Sequence, residues 1–182
     1  MRLEGFSENV RGRMTMQSYA AAPSIEGVVV QELKYFRDDG GFFLEIGRLN
    51  SEHHLDGFDA LDIKQLNYSE IVSGVVKAGH VHPDQNEIWF LPPTQRVLVG
   101  LMDVRKGSVT EGVKMRFVMG AGKAQLLYIP HGVAHGLSNP YDAPAHMLYL
   151  VSHHFDPHPE SGQEYRIPPE AFGDGFWEIQ RG

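Results

Sequence analysis

The stretch GHVHPDQNE, residues 79 to 87, carries two histidines one residue apart, followed by a turn and a glutamate. In a β-strand, residues two apart point to the same face, so His80 and His82 are expected to share a face. Pro83 and Asp84 favour a turn, and the returning strand would bring Glu87 back toward the pair. The spacing predicts a cluster of imidazole and carboxylate groups. Such a cluster suits either a metal ion or proton transfer by one histidine.

Short strand-like runs separated by turn residues continue on both sides of this stretch. DIKQLNYSEI alternates apolar and polar residues, RVLVGLMDV ends at RKGS, and AQLLYIP ends at HG. Runs repeating about every 8–12 residues, with Gly and Pro between them, are typical of a sandwich or barrel. We therefore predict an all-β fold in a single domain, residues 25–182, closed as a barrel or jelly roll to limit exposed strand edges. Residues 1–24 are predicted to form an N-terminal arm, and our hypothesis is that it lies on a partner subunit.

Composition excludes several kinds of site and partner. The 182-residue chain has a formal net charge of −7, whereas nucleic-acid-binding proteins depend on a basic face. It contains no cysteine, which excludes disulfides, thiolate metal sites and cysteine nucleophiles. Its longest apolar runs are far shorter than the roughly 20 residues that span a bilayer, and the N-terminal residues lack the apolar segment of a secretory signal. We expect a cytoplasmic protein that binds neither nucleic acid nor membrane.

A second motif follows downstream in IPHGVAHGLSN, residues 129 to 139, which contains Pro130, Gly132, His135 and Asn139. With Gly74 placed before the first histidine, the two stretches resemble the cupin motifs G-x5-H-x-H-x4-E and P-x-G-x2-H-x3-N. The resemblance implies a cupin jelly-roll barrel, and metal-binding cupins use these positions to hold a divalent transition metal. The ligands here would be His80, His82, Glu87 and His135. The alternative is that each histidine is a hydrogen-bonded residue in a barrel mouth without an ion.

The flanking blocks resemble a narrower family, the dTDP-4-dehydrorhamnose 3,5-epimerases. QLNYSEIVSGVVKAGH is similar to the family stretch Q-x-N-x-S-x-S-x-x-G-v-l-R-G-L-H, and DVRKGSVTEG to D-L-R-x-G-S-P-T-F-G. IPHGVAHGL and YLVSHHFDPHPE keep the family's order and spacing, and the likeness runs from about Tyr35 to Glu160. The resemblance implies a homodimeric cupin enzyme that works without a metal cofactor on a nucleotide-linked sugar.

The same resemblance assigns roles to individual positions. It implies that His80 is the catalytic base and Tyr149 the proton donor. Lys77 stands where a family arginine meets the nucleotide diphosphate, and it offers a point charge rather than a planar fork of donors. The implied substrate-binding residues are Glu45, Gln65, Asn67, Lys77, His135 and Glu160.

The departures from the family pattern lie in the site rather than in the scaffold. The family lysine expected shortly after the base is missing, and Glu87 or Ile88 stands near its place. An acidic group there would oppose a developing enolate unless a metal or a bound proton intervenes. His82 replaces a family glutamine. The C-terminal part of the family pattern, which supplies an Asp partner to the base, has no clear match here, and Asp174 or Glu178 are the candidates.

Three hypotheses for function follow. The leading one is a sugar-nucleotide 3,5-epimerase or isomerase acting on a nucleotide-linked 4-keto-6-deoxyhexose by proton transfer between a histidine base and a tyrosine acid. The second is a metal-dependent cupin isomerase or dioxygenase that uses the four ligands named above. The third is a non-catalytic sugar-binding cupin.

Overall fold

Antiparallel β-strands make up most of the chain, which a computed structural model describes for residues 3–16, 19–52, 54–58 and 61–180. A short helix α1 (Glu8–Arg11) and three single 3-10 turns complete the regular structure of these residues. None of the described helices is long and apolar enough to cross a membrane. The strands are β1 (Val29–Glu32), β2 (Tyr35–Asp38), β3 (Gly41–Leu44), β4 (Gln65–Ile71), β5 (Val76–Val81), β6 (Glu87–Leu91), β7 (Arg96–Asp103), β8 (Lys114–Gly120), β9 (Gln125–Ile129), β10 (Val133–Ser138), β11 (Ala145–Val151) and β12 (Tyr165–Arg166).

The strands form two five-stranded antiparallel sheets and a separate hairpin. The first sheet has the order β1-β9-β6-β11-β4, the second has the order β12-β5-β10-β7-β8, and β2 pairs only with β3. The predicted all-β cupin jelly-roll architecture is confirmed. The predicted division into an arm (1–24) and a domain (25–182) stays a prediction, and residues 1, 2, 17 and 18 of that arm lie outside the described residues.

The main core lies between the two sheets, and its pattern follows from strand alternation. Val97, Val99 and Leu101 on β7 point inward at every second position and are fully buried. Strand β6 is buried along its whole length, because Phe58 and Leu61 cover the outer side of its sheet while the other sheet covers the inner side. A strand buried on both faces loses the alternating pattern that a half-exposed strand shows.

The C-terminal segment covers the outer face of the second sheet. Phe172 and Trp177 are buried there, and Gly100 on β7 allows the approach, because a Cβ at that glycine would lie 2.4 Å from the Trp177 ring. Lys114 donates to the carbonyls of residues 171 and 172, and Arg116 donates to the carbonyl of residue 176. These contacts fix the last part of the chain against the sheet that carries β5.

The block DVRKGSVTEG forms a turn organised by one buried carboxylate. Asp103 accepts hydrogen bonds from Arg105 Nε at 2.9 Å, from Ser108 Oγ at 2.6 Å and from Thr110 Oγ1 at 2.6 Å. The bond from Arg105 and those from the hydroxyls hold the pKa of Asp103 far below its usual range, against the effect of burial. This motif therefore stabilises the scaffold.

Candidate active site

A cavity of about 450 Å³ lies between the two sheets. One wall comes from β4, β6 and β11, the other from β5 and β10, and part of the segment between β11 and β12 completes it. Its polar lining is Gln65, Asn67, Ser69, Lys77, His80, His82, Gln85, Glu87, His135, Tyr149, Asp156, Gln163 and Glu164. Most of the residues singled out from the sequence therefore meet in one place.

A β-bulge in β5 determines which side chains enter the cavity. His135 on β10 pairs with His80, but Leu137 pairs with Lys77, so β5 contains one extra residue between these pairs. Gly79 occupies the bulge with φ +80°, in the left-handed region that glycine tolerates. An extra residue shifts the alternation of faces. As a result Lys77 and His80 both line the cavity although they are three residues apart.

His80 is held by a carboxylate. Its Nδ1 lies 3.2 Å from Oε1 of Glu164, so the carboxylate favours the tautomer with a proton on Nδ1 and a lone pair on Nε2. Burial and the nearby His135 lower the pKa of His80 to about 4, against the attraction of Glu164. The imidazole is therefore neutral at pH 7, which is the form that accepts a proton.

The partner of His80 was missed from the sequence. Strand β12 pairs with β5 so that Arg166 lies opposite His80, which brings the preceding Glu164 beside the ring. The two candidates proposed from the sequence, Asp174 and Glu178, are exposed and do not line the cavity. Glu164 stands 84 residues after the base (80 to 164) in a stretch without a motif. Only the pairing of a two-residue strand reveals it.

Tyr149 lies on the opposite wall. It belongs to β11, between β6 and β4 in the first sheet, where it pairs with Asn67 and Trp89, whereas His80 belongs to the second sheet. Burial and the negative charges of Glu87 and Glu164 raise the pKa of the Tyr149 hydroxyl. The phenol is protonated at neutral pH and can give a proton to a molecule held between the sheets.

The structure separates the predicted substrate-binding residues into two groups. Gln65, Asn67, Lys77 and His135 line the cavity, and Gln65 Nε2 donates to Asn67 Oδ1 at 2.6 Å. The other two, Glu45 and Glu160, do not line it. Glu45 pairs with Arg48 at the surface, and Glu160 is exposed beside His158.

A second polar cluster lies deeper in the cavity. His82, Glu87 and His135 are all buried, with His82 Nε2 3.1 Å and His135 Nε2 3.7 Å from the Glu87 carboxylate. Burial favours the neutral acid, yet the charge of His135 and the hydrogen bond from His82 lower the pKa of Glu87 to about 2. Burial also opposes charge on both rings. It lowers the pKa of His135, whereas the hydrogen bond and charge of Glu87 raise that of His82.

This cluster modifies the four-ligand metal hypothesis. His82, Glu87 and His135 offer ligand atoms that all lie within 4.8 Å of one another. His80 is not a member of that group, and its Nδ1 faces Glu164 instead. The two histidines that share a face of β5 therefore have different partners and different protonation.

Comparison with known proteins decides the family. The sequence model of the family described as dTDP-4-dehydrorhamnose 3,5-epimerase matches residues 22–171. The chain belongs to this family. The spore coat polysaccharide biosynthesis protein SpsL of Bacillus subtilis is 37% identical over 152 residues, which cover 84% of this chain and 95% of SpsL. The probable low-salt glycan biosynthesis epimerase Agl13 of Haloferax volcanii is 30% identical over 146 residues, covering 80% and 89%.

Solved structures of this epimerase family share the fold. The dTDP-4-dehydrorhamnose 3,5-epimerase from Sulfolobus tokodaii is 28% identical with a TM-score of 0.67, and the match covers 85% of this chain and 83% of that one. NovW, a 4-keto-6-deoxy sugar epimerase from the novobiocin cluster of Streptomyces spheroides, is 26% identical with a TM-score of 0.68, covering 86% and 78%. The resemblance found in the sequence is confirmed. The alternatives, a metal-dependent cupin isomerase or dioxygenase and a non-catalytic sugar-binding cupin, are not favoured.

Proposed function

We propose that this member of the sugar-nucleotide epimerase family inverts carbon next to the ketone of a nucleotide-linked 4-keto-6-deoxyhexose. The observation that supports it most is the arrangement of the cavity. A neutral imidazole held by a carboxylate lies on one sheet, and a protonated phenol lies on the other. The names of NovW and of the matched family support the substrate class.

The proposed reaction follows from the acidity of a hydrogen next to a ketone. Nε2 of His80 removes this hydrogen as a proton, and the electron pair moves onto the ketone oxygen as an enolate. Tyr149 then donates a proton to the same carbon from the opposite face, which inverts it. Each positioned acid or base contributes about 10²–10⁴-fold in rate. Glu164 is a positioning residue, which holds the ring and stabilises the imidazolium that forms.

Hydrogen exchange with solvent tests this function. In D₂O, the wild-type protein is expected to introduce deuterium at a carbon beside the ketone of at least one sugar in a panel of dTDP-, UDP- and GDP-linked 4-keto-6-deoxyhexoses. Tyr149→Phe should keep exchange by His80 but form the inverted product about 10²–10⁴-fold more slowly. Mass spectrometry and NMR measure the two quantities. Tyr141→Phe is a matched control, because Tyr141 packs against Arg96 and does not line the cavity. Absence of exchange across the whole panel contradicts the proposal.

A homodimer is the second part of the proposal. Several large apolar side chains are exposed on the first sheet and the hairpin: Leu66 and Tyr68 on β4, and Phe36 and Phe43 on β2 and β3. Exposed apolar side chains of this size favour an interaction surface. Glu45, which directly follows β3, lies outside this chain's own cavity, so a second copy would let it reach the partner's site. A cytoplasmic location stays a prediction from the sequence.

Light scattering after size exclusion checks the assembly. The wild-type protein is expected to have about twice the 20.4 kDa mass of one chain. Phe43→Glu should shift it to one chain mass, because a charge cannot be buried unpaired at an apolar interface. Val109→Glu changes another exposed apolar residue, on the turn after β7, and it should leave the mass unchanged. A monomeric wild-type protein at micromolar concentration contradicts this assembly.

A further inference from the structure

We propose that His82, Glu87 and His135 hold one divalent first-row transition ion, while His80 remains outside the ligand set as the free base. This assignment divides the H-x-H pair between two tasks. It differs from a metal site with four protein ligands and also from a reaction site without a metal.

The hydrogen bonds of the two buried rings fix their tautomers. Nδ1 of His82 lies 2.8 Å from the backbone carbonyl oxygen of Gln163, and Nδ1 of His135 lies 2.9 Å from that of Val133. A carbonyl oxygen only accepts hydrogen bonds, so each Nδ1 carries a proton and donates it. In the neutral ring the remaining nitrogen, Nε2, then holds a lone pair. Both Nε2 atoms lie next to the carboxylate of Glu87, so three groups with lone pairs meet at a place where a cation would be stabilised.

The distances fit an ion better than protons alone. A proton on His82 Nε2 would satisfy its 3.1 Å contact with Glu87, but the 3.7 Å from His135 Nε2 to Glu87 is too long for a hydrogen bond. Metal–nitrogen and metal–oxygen bonds of about 2.0–2.2 Å keep neighbouring ligand atoms roughly 3.0–3.4 Å apart, between these two distances. Two imidazoles and one carboxylate suit Zn, Mn, Fe, Co or Ni rather than Mg or Ca.

The groups behind the three side chains also have the pattern of a metal site. Ligating histidines usually donate their other N–H to a backbone carbonyl or carboxylate, as both rings do here. The carboxylate of Glu87 is itself oriented, because Trp89 Nε1 donates to one oxygen at 2.6 Å and Gln85 Nε2 donates to the other at 2.9 Å. These contacts hold the three ligands in place before any ion binds.

The ion would also answer the main chemical objection to this site. Glu87 or Ile88 stands near the place of the family lysine, and the negative charge of Glu87 opposes an enolate in the same cavity. A bound divalent ion would reverse the sign of the local charge and offer positive charge to the developing oxygen anion. This consequence depends on the proposed function, whereas binding of the ion does not.

Metal content and metal binding without any substrate test the site. Protein purified without chelator is expected to contain about one transition ion per chain by elemental analysis. After removal of the ion, titration with Co²⁺ should produce visible absorption bands that saturate at one equivalent. Saturating Zn²⁺ should raise the unfolding midpoint by about 5–10 °C, and Mg²⁺ should not. A wild-type protein that takes up less than a tenth of an equivalent of Co²⁺ and Zn²⁺ overturns the proposal.

Variants identify the ligands and separate this proposal from the catalytic one. Glu87→Gln and His135→Gln should weaken Co²⁺ binding by about 100-fold or more. His80→Asn should bind it as the wild type does, and His131→Gln, which removes an exposed imidazole, is the matched control. A 100-fold loss of Co²⁺ affinity in His80→Asn would show that His80 is also a ligand, and it would overturn the assignment of His80 and His82 to separate roles. Unchanged binding in Glu87→Gln overturns the site. Since no sugar is present, a protein without epimerase activity can still pass this test.

Discussion

His80→Asn is expected to lower the rate of deuterium wash-in next to the ketone by about 10²–10⁴-fold, which is the contribution of one positioned base. Asparagine keeps a polar side chain of similar reach but accepts no proton at neutral pH. The wild-type ring has its lone pair available, because Glu164 occupies Nδ1 at 3.2 Å and the pKa is about 4. The wild-type rate should therefore not depend on protonation of His80 between pH 6 and 8. Mass spectrometry of the sugar measures the effect.

Two further variants make this result specific. Glu164→Gln should cause a smaller loss than His80→Asn, because it leaves the base in place and removes only the charge that stabilises the imidazolium. Glu164→Asp should restore part of the rate, which a purely structural role would not predict. His153→Asn serves as the matched control, since His153 follows β11 and does not line the cavity. If His80→Asn exchanges deuterium at the wild-type rate, the base has been assigned to the wrong residue.

Gly79→Ala is expected to lower the free energy of unfolding by about 3 kcal/mol or more, or to prevent folding. The backbone at Gly79 has φ +80°, and a Cβ there would lie 1.7 Å from the carbonyl oxygen of Ile167. Ile167 N–H also donates to the carbonyl of Gly79 at 2.7 Å, so these two segments of the chain cannot separate without losing this bond. Urea denaturation measures the change.

A second glycine separates the two causes of that loss. Gly122 has φ +89° but nothing within 4 Å of the Cβ that alanine would add. Gly122→Ala should therefore show only the strain of the left-handed backbone, about 1–2 kcal/mol. Where Gly79→Ala does fold, β12 must move, and Glu164 with it. The deuterium wash-in rate of the Gly79→Ala variant should then fall as it does in Glu164→Gln. Equal destabilisation by the two substitutions would mean that contact with Ile167 is unimportant.

Much of the fold and chemistry could be predicted from local patterns. Alternating apolar residues with glycine and proline between them predicted an all-β jelly roll, because strand period and turn chemistry are local properties. The order and spacing of the blocks around His80 and His135 predicted the epimerase family, which the comparison confirms. The roles given to His80 and Tyr149 stay predictions, although the structure brings both residues into one cavity.

The sequence by itself determined the architecture, the family and the kinds of chemical group in the site. Only the tertiary structure decided which of those groups enter the cavity, because strict alternation along β5 would not place both Lys77 and His80 there. The bulge that does so is hydrogen-bonded to Ile167, which directly follows β12, and β12 brings Glu164 to His80 from 84 residues away (80 to 164). The burial and hydrogen bonds that give His80 and His82 opposite pKa shifts come from different strands and loops. The charge and protonation of these side chains depend on such long-range contacts, which a local sequence pattern cannot predict.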